Sequence, residues 1–485
     1  MHNTKSIGKY SLLLLLVLTA RLGATQGFIG ITSQQNSGLW SVYQNPSHLV
    51  NDQYKIRFHV ATAGAHFNNN YVKYAAPFSM VDLALGRNFR PLDPYDLEEI
   101  RDGKPKNGTL VAELRGPALA FKISPTTHIA LMTRVRSGVQ VTNASEKLLG
   151  VVRLGLANIE NYQNLEYLAL YATHSDNTLN SVSQAYSEWG LTLGQVLSES
   201  ATHRLQGGVT VKRFFGYAGG YIQNRSLRYQ LRPDTSAVNA ALLHVDRFDA
   251  DLGYTQVNNR AFLSPSWLFG QNATGRGWGL DLGISYDLLS EENGKHVLRL
   301  SAAVTDIGRI NYNDPRVRKY TINAQDRQIT EAEWQSYSTP REGESELSAI
   351  GRILEDEFGL TETDRTNQFA LATPQALNMS ADLRLMGNMY VNTTWIQSMR
   401  VTQVPGFRAT SLLAVTPRID GKKIGLSLPI VRQNGAWAVG GAARLGPVVL
   451  GSDNLLGLFA RNGHIKAQGV DVYAGLSFGV KSNKD

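Results

Sequence analysis

Two-residue alternation of apolar and polar side chains, recurring from residue 54 to residue 480, is the feature that most limits what this chain can fold into. In Leu280-Asp281-Leu282-Gly283-Ile284-Ser285-Tyr286-Asp287-Leu288 every even position is apolar, and the odd positions hold Asp, Gly, Ser and Asp. Leu298, Leu300, Ala302 and Val304 alternate in the same way with Arg299, Ser301, Ala303 and Thr305. Val470, Val472, Ala474, Leu476, Phe478 and Val480 do so again near the C-terminus, and similar runs cover 54–60, 247–254 and 379–385. Successive side chains of an extended strand point to opposite faces, so each run describes a strand with one apolar and one polar face. Weaker segments near 117–124, 127–136, 184–195, 204–215, 217–230, 389–397, 409–417, 423–432 and 436–446 bring the expected total to roughly 14 strands, most of them near the ~9–11 residues that cross a bilayer.

A soluble sandwich and a transmembrane barrel both produce alternation, but they use the polar face differently. In the sandwich that face meets solvent; in the barrel it lines a lumen while the apolar face meets lipid. Here the polar face mixes Asp, Arg, Lys and His with many small residues, and the chain holds 45 Gly, with only 18% charged and 9% aromatic residues. Closing the sheet also removes the edges that so many strands would otherwise expose. The expected fold is therefore all-β: a transmembrane antiparallel β-barrel of roughly 14 strands, with a few short helices in loops. Tyr54, Tyr254, Trp278, Tyr286, Tyr390, Trp395 and Trp437 lie near segment ends, where interfacial aromatic girdles would place them.

Residues 1–24 read as a signal peptide, with Lys5 and Lys9 before a Leu-rich run over Ser11–Ala20 that Arg21 closes. That run is about half the ~20 residues of a spanning helix. The formal charge of +8 is dispersed, and the signal holds three of the basic residues, so no nucleic-acid footprint is indicated. Absence of Cys excludes disulfide frameworks, thiolate metal sites and cysteine nucleophiles. Residues 25–52 form an irregular N-terminal segment rich in Gln, Asn, Ser and Gly, with a turn at Gln44-Asn45-Pro46-Ser47, and 53–485 the barrel. Long insertions interrupt the barrel near 145–182 and 309–375; Glu346–Phe358 within the second has apolar residues at helical spacing, and Leu97–Arg101 also looks helical.

The chemical motifs are removed one by one. Gly475-Leu476-Ser477-Phe478-Gly479 matches the nucleophile-elbow pattern, yet Ser477 sits within a strand with no helix after it. Gly275-Arg276-Gly277-Trp278-Gly279 precedes a strand rather than a helix and reads as a flexible turn, not a phosphate cradle. Glu355-Asp356-Glu357 lacks the spacing of a calcium loop, and the His residues show no paired spacing. No catalytic residue, metal site or cofactor is expected.

Arg276–Gly283, Leu300–Gly308, Thr416-Pro417-Arg418, Ser427-Leu428-Pro429, Leu445-Gly446-Pro447 and Gly451-Ser452-Asp453-Asn454 together resemble an uncharacterised outer-membrane barrel family of Bacteroidota. Asn45-Pro46-Ser47 is similar to the Asn-Pro-Ala that opens this family, with Ser47 in place of Ala. The family is one of unknown function, more loosely similar to long-chain fatty-acid transporters and to barrel components of the type IX secretion system. The resemblance implies the bacterial outer membrane and, by analogy of fold, makes residues 25–52 an N-terminal plug-like segment in the lumen. It leaves three expectations open: a channel for small amphipathic or hydrophobic molecules, a non-transporting envelope scaffold or secretion-associated barrel, and a secreted soluble β-protein. Outer-membrane lipid, a small amphipathic ligand and envelope or secretion partner proteins are the expected partners, with Asn45, Pro46 and Ser47 as the candidate ligand-binding or plug residues.

Overall fold

The computed structural model describes residues 28–480, apart from 88–95, 155–172, 234–240, 257–264, 293, 331, 334–345, 362–363, 400–403, 462–464 and 466. The proposed signal peptide lies outside the described residues, as do parts of both long insertions.

The barrel begins with β1 (Ile56–Asn69). A small hairpin, β2 (Val72–Tyr74) with β3 (Leu97–Glu99), stands apart from the wall. The wall continues through β4 (Lys106–Lys122) and β5 (Thr127–Ala144), then, after β6 (Thr173–Asn177), which pairs with residues 227–229 rather than joining the wall, through β7 (Asn180–Glu199). Next come the 31-residue β8 (His203–Pro233), β9 (Ala241–Thr255), β10 (Gly275–Leu289), β11 (His296–Asn313) and β12 (Val317–Ile329). The second half is built from β13 (Gln368–Ala372), β14 (Ala376–Met386), β15 (Met389–Ser398), β16 (Leu412–Asp420), β17 (Ile424–Ser427), β18 (Ile430–Gln433), β19 (Ala436–Val439), β20 (Gly441–Leu445), β21 (Val448–Ser452) and β22 (Gly469–Val480). The barrel closes where β22 pairs antiparallel with β1, Phe58 opposite Phe478 and Ala63 opposite Ala474. With β6, β9 and β12 standing outside the wall, and the broken pairs β13–β14, β17–β18 and β19–β20 counted as single staves, the closed barrel has 14 strands.

The wall is turned inside out relative to a soluble protein. Along β10, Trp278, Leu282, Ile284 and Tyr286 face outward, 63%, 46%, 47% and 37% exposed, whereas Asp281, Ser285 and Asp287 are buried in the lumen. Phe58 and Phe478 are likewise outside, with His59 and Ser477 inside. A continuous outward belt of Leu, Val, Ile and Phe is stable against hydrocarbon, where these side chains stay out of water. Among the described residues no helix is long and apolar enough to cross a membrane.

Several segments differ from the sequence reading. Residues 217–230 are not a separate strand: they continue β8 beyond the barrel rim, where they pair with β9. β9 pairs in turn with β12, and β6 with the other edge of β8, so 247–254 belongs to a four-stranded extension rather than to the wall. Its apolar face packs instead against a helix, through Phe248 on Phe358 with ring centroids 5.0 Å apart and Tyr254 donating to Glu355 at 2.6 Å. Tyr254 is therefore buried there, and Tyr390 is buried in the lumen; neither joins an outer girdle, whereas Trp278, Tyr286, Trp395 and Trp437 are exposed on the outside. The strand count survives because β21 takes a wall position that the alternation did not reveal. Leu97–Glu99 is a strand, not a helix, because its backbone pairs with Val72–Tyr74. Residues 275–279 are strand rather than turn: a Cβ on Gly277 would lie 2.0 Å from the Arg309 carbonyl oxygen, and one on Gly279 2.5 Å from the Phe214 ring. The glycines thus permit close neighbours, not a bend.

Candidate functional site

Residues 28–52 fill the lumen. α1 (Ile29–Thr32) and α2 (Leu39–Val42) are single turns, followed by a 3-10 turn over Pro46–Asn51. Phe28, Ile29, Leu39, Trp40, Val42 and Leu49 are each no more than 1% exposed. Isolated helices this short are unstable, so their conformation is set by the surrounding wall. Trp40 Nε1 donates to Thr62 Oγ1 at 2.7 Å, and the Tyr43 hydroxyl donates to the Thr133 carbonyl at 3.1 Å. Burial raises the Tyr43 hydroxyl pKa, so it remains a donor.

The three residues singled out in sequence meet the wall together. Asn45 is extended (φ −151°, ψ 111°), as a residue before proline should be, and its side chain accepts from Ser47 N at 3.0 Å to cap the turn. Pro46 occupies the first position of that turn, where its missing N–H costs nothing. Asn45 Nδ2 donates outward to the carbonyls of Ile284 (3.2 Å) and Ala302 (3.3 Å). Ser47 Oγ donates to Asn45 Oδ1 (2.7 Å) and lies 3.0 Å from Ser285 Oγ, which donates to Gln206. Opposite them Gly208 and Gly283 leave the space: a Cβ on Gly208 would lie 2.3 Å from Pro46 C, and one on Gly283 2.0 Å from Asn45 Oδ1. His48 Nε2 is 3.0 Å from Ser301 Oγ; burial, then the charge of Arg299, lowers its pKa to about 3, so it is neutral.

Around the plug the wall carries a balanced charge lattice. Glu113, Glu188, Asp281 and Asp306 interleave with Arg115, Arg134, Arg136 and Lys212, all buried. Arg134 donates to Glu188 (2.7 Å) and Asp306 (3.1 Å), Arg136 to Asp306 (2.7 Å), and Lys212 sits 2.7 Å from Asp281. Arg115 pairs with Glu113 and lies over the Phe28 and Tyr43 rings, 4.1 and 4.7 Å from their centroids, so the lattice also grips the plug. Further round, Arg299 holds Asp287 at 2.6 Å, and Arg418 bridges Asp382 and Asp420, the latter at 2.6 Å. Such pairs add little net stability, but removing one partner leaves a buried charge, so they fix one arrangement of lumen and plug.

One sector of the wall is different. β21 stops at Ser452, and Asn454 caps α6 (Leu455–Phe459), its side chain accepting from Gly457 N and donating to the Gly469 carbonyl. The other helices between α2 and α6 are α3 (Met80–Ala84), α4 (Glu146–Leu154) and α5 (Glu346–Phe358), the last being the helix on the outer extension. α6 packs against both β19 and β22, and among the described residues β19 has a registered strand partner, β18, on one edge alone. Inside this interruption lies a cavity of about 280 Å³. Ile29, Leu412, Val431, Trp437, Leu456 and Ile465 give it an apolar lining; His66, Asn68, Gln433, Asp453 and Gln468 add polar groups. Its floor is the start of the plug, where Asp453 accepts the N–H groups of Ile29 (2.8 Å) and Gly30 (3.1 Å).

Asn45, Pro46 and Ser47 thus contact β8, β10 and β11, away from this cavity. Asp453, His66 and Trp437 were not singled out as a site; Asp453 appeared only within Gly451-Ser452-Asp453-Asn454, and strand register alone brings it to Ile29. Ser477 is within β22, its hydroxyl 3.5 Å from the Phe58 carbonyl. Glu355-Asp356-Glu357 lies on α5, and among the described residues no three metal-ligating side chains converge.

Three solved structures are similar to the chain in overall fold. The Ralstonia pickettii toluene transporter TbuX is 8% identical, with 94% of this chain and 98% of that one covered at a TM-score of 0.40. The Pseudomonas putida toluene transporter TodX is 9% identical over 94% and 96%, at 0.39. A Pseudomonas aeruginosa FadL homologue is 10% identical over 91% of each chain, at 0.35. No curated protein matches in sequence. Residues 46–453 match the family of unknown function DUF5723, from the plug's proline to the aspartate that holds its first helix, and the chain belongs to that family.

Proposed function

We propose that this protein is an outer-membrane channel for small amphipathic or hydrophobic molecules, closed at rest by residues 28–52. The observation that carries this reading is the cavity of about 280 Å³ beside the plug, apolar with a few polar groups, at the one sector where the described strand ladder gives way to a helix. Mixed linings of that kind hold small molecules with both characters. The outward apolar belt supports residence in a bilayer over a secreted soluble state. Asn45, Pro46 and Ser47 hold the plug to the wall in this reading and do not touch the transported molecule.

The test is uptake by proteoliposomes of a panel of small apolar and amphipathic solutes, with the wild-type chain and with a chain lacking residues 28–45. Flux that rises on removing the plug is expected. A folded, heat-modifiable barrel that passes no solute in either form would overturn the reading. The four-stranded extension beyond the rim, with Arg225 bonded to Asp249 on its polar face, favours a second role in holding an envelope partner. A stoichiometric partner lost on trimming β9 and β12, with flux unchanged, would establish that role.

A further inference from the structure

The charge lattice of the lumen has one local exception, and it lies at the cavity. Among the described residues the other buried acids of the barrel wall and plug each have an Arg or Lys partner: Asp52 with Arg57, Glu113 with Arg115, Glu188 and Asp306 with Arg134, Asp281 with Lys212, Asp287 with Arg299, and Asp382 and Asp420 with Arg418. Asp453 and Asp471 have neither. They are held side by side, Asp453 N donating to Asp471 Oδ1 at 2.6 Å, and both are buried. Asp471 Oδ2 has no hydrogen-bond partner, and its nearest basic group is His66 Nδ1 at 3.4 Å. Asp453 receives only neutral donors: Ile29 N, Gly30 N and the Tyr473 hydroxyl at 3.2 Å. Two buried carboxyls without a cation are costly. Burial, then the proximity of Asp471, raises the Asp453 pKa accordingly.

We infer that the cavity between β18, β19, α6 and the start of the plug is a binding site for a small organic cation with an apolar body, its ammonium group set against Asp453. The inference rests on the proposed passage of small amphipathic molecules and names their class. Asp453 and His66 both line the cavity, so a cation there completes a charge balance that the rest of the lumen makes internally. The apolar body is covered by Ile29, Leu412 and Val431. A cavity of this volume takes a compact molecule rather than a long acyl chain.

Binding of phenethylammonium, its neutral counterpart phenylethanol and the anion phenylacetate to the detergent-solubilised full chain tests this by calorimetry. The cation is expected to bind at least tenfold tighter than the alcohol, and the anion weakest. Asp453→Asn should bring cation and alcohol to equal affinity while still offering an oxygen to the plug amides. Val431→Trp, which fills the cavity and leaves the carboxyls in place, should abolish binding of both. Equal binding of cation and alcohol by the wild-type chain, or cation selectivity that persists in Asp453→Asn, overturns the inference, as does cation binding unaffected by Val431→Trp. A cation that binds selectively but is never transported leaves the site standing and defeats the channel reading; transport of neutral solutes without cation selectivity does the reverse.

Discussion

The seat of residues 28–52 in the lumen depends on two missing side chains, and adding them is the most direct perturbation of the proposed closed state. In Gly208→Ala the new Cβ would stand 2.3, 2.4 and 2.5 Å from Pro46 C, Ser47 N and Pro46 O, all backbone atoms or bonded to backbone. In Gly283→Ala it would stand 2.0 Å from Asn45 Oδ1 and 2.9 Å from Pro46 Cδ. Ordinary contacts need ~3.5–4.0 Å, so the 3-10 turn must retreat by roughly 1 Å or more. That retreat takes Asn45 Nδ2 out of reach of Ile284 and Ala302, whose bonds already measure 3.2 and 3.3 Å. Two hydrogen bonds at ~1 kcal/mol each and overpacking of ~1–3 kcal/mol destabilise the seated plug by roughly 3–5 kcal/mol. The seated-to-released ratio then falls by about two to four orders of magnitude. Because the chain has no cysteine, Ser41→Cys, at a position 5% exposed on α2, reports release through its rate of reaction with a polar thiol reagent in proteoliposomes. The double alanine variant should label at least a hundredfold faster and conduct more, while remaining heat-modifiable. Gly108→Ala, whose Cβ would meet nothing nearer than 3.8 Å, should behave as wild type. An intact barrel carrying both alanines that labels at the wild-type rate would refute the argument that these glycines seat the plug.

Acid should also release the plug. The pKa of His48 is about 3 when seated and near 6.5 when free, so the released state binds the proton more readily. Seating is fully favoured above about 6.5 and is progressively lost as pH falls toward 3, and His48→Gln should flatten that part of the labelling profile. Lys212→Met leaves Asp281 without its cation and should cost ~3–5 kcal/mol in urea unfolding, most of it recovered in Lys212→Met/Asp281→Leu. Leu282→Arg, outward-facing midway along β10, should cost ~2–4 kcal/mol of barrel stability, read from the temperature at which heat-modifiability is lost.

Local chemistry alone determined much of this molecule. Alternation in 280–288 and 470–480 settled that these are strands and which residues share a face, because that depends only on the period of an extended chain. The Asn45-Pro46-Ser47 turn was legible for the same reason: pre-proline geometry and side-chain capping act within three residues. What alternation cannot carry is register and neighbour identity. It reads 247–254 as wall, yet only pairing with β12 shows that this strand stands outside the barrel. It reads the glycines of 275–279 as a turn, yet only the approach of Phe214 and Arg309 shows that they are strand. The cavity is the furthest from sequence, since Ile29, His66, Val431 and Asp453 meet only after the barrel has closed. The sequence by itself determined the lipid-facing belt and the polar lumen; the tertiary structure alone decided which carboxyls found cations and left Asp453 and Asp471 without one, because ion pairing across a lumen depends on closure and register, not on neighbours along the chain.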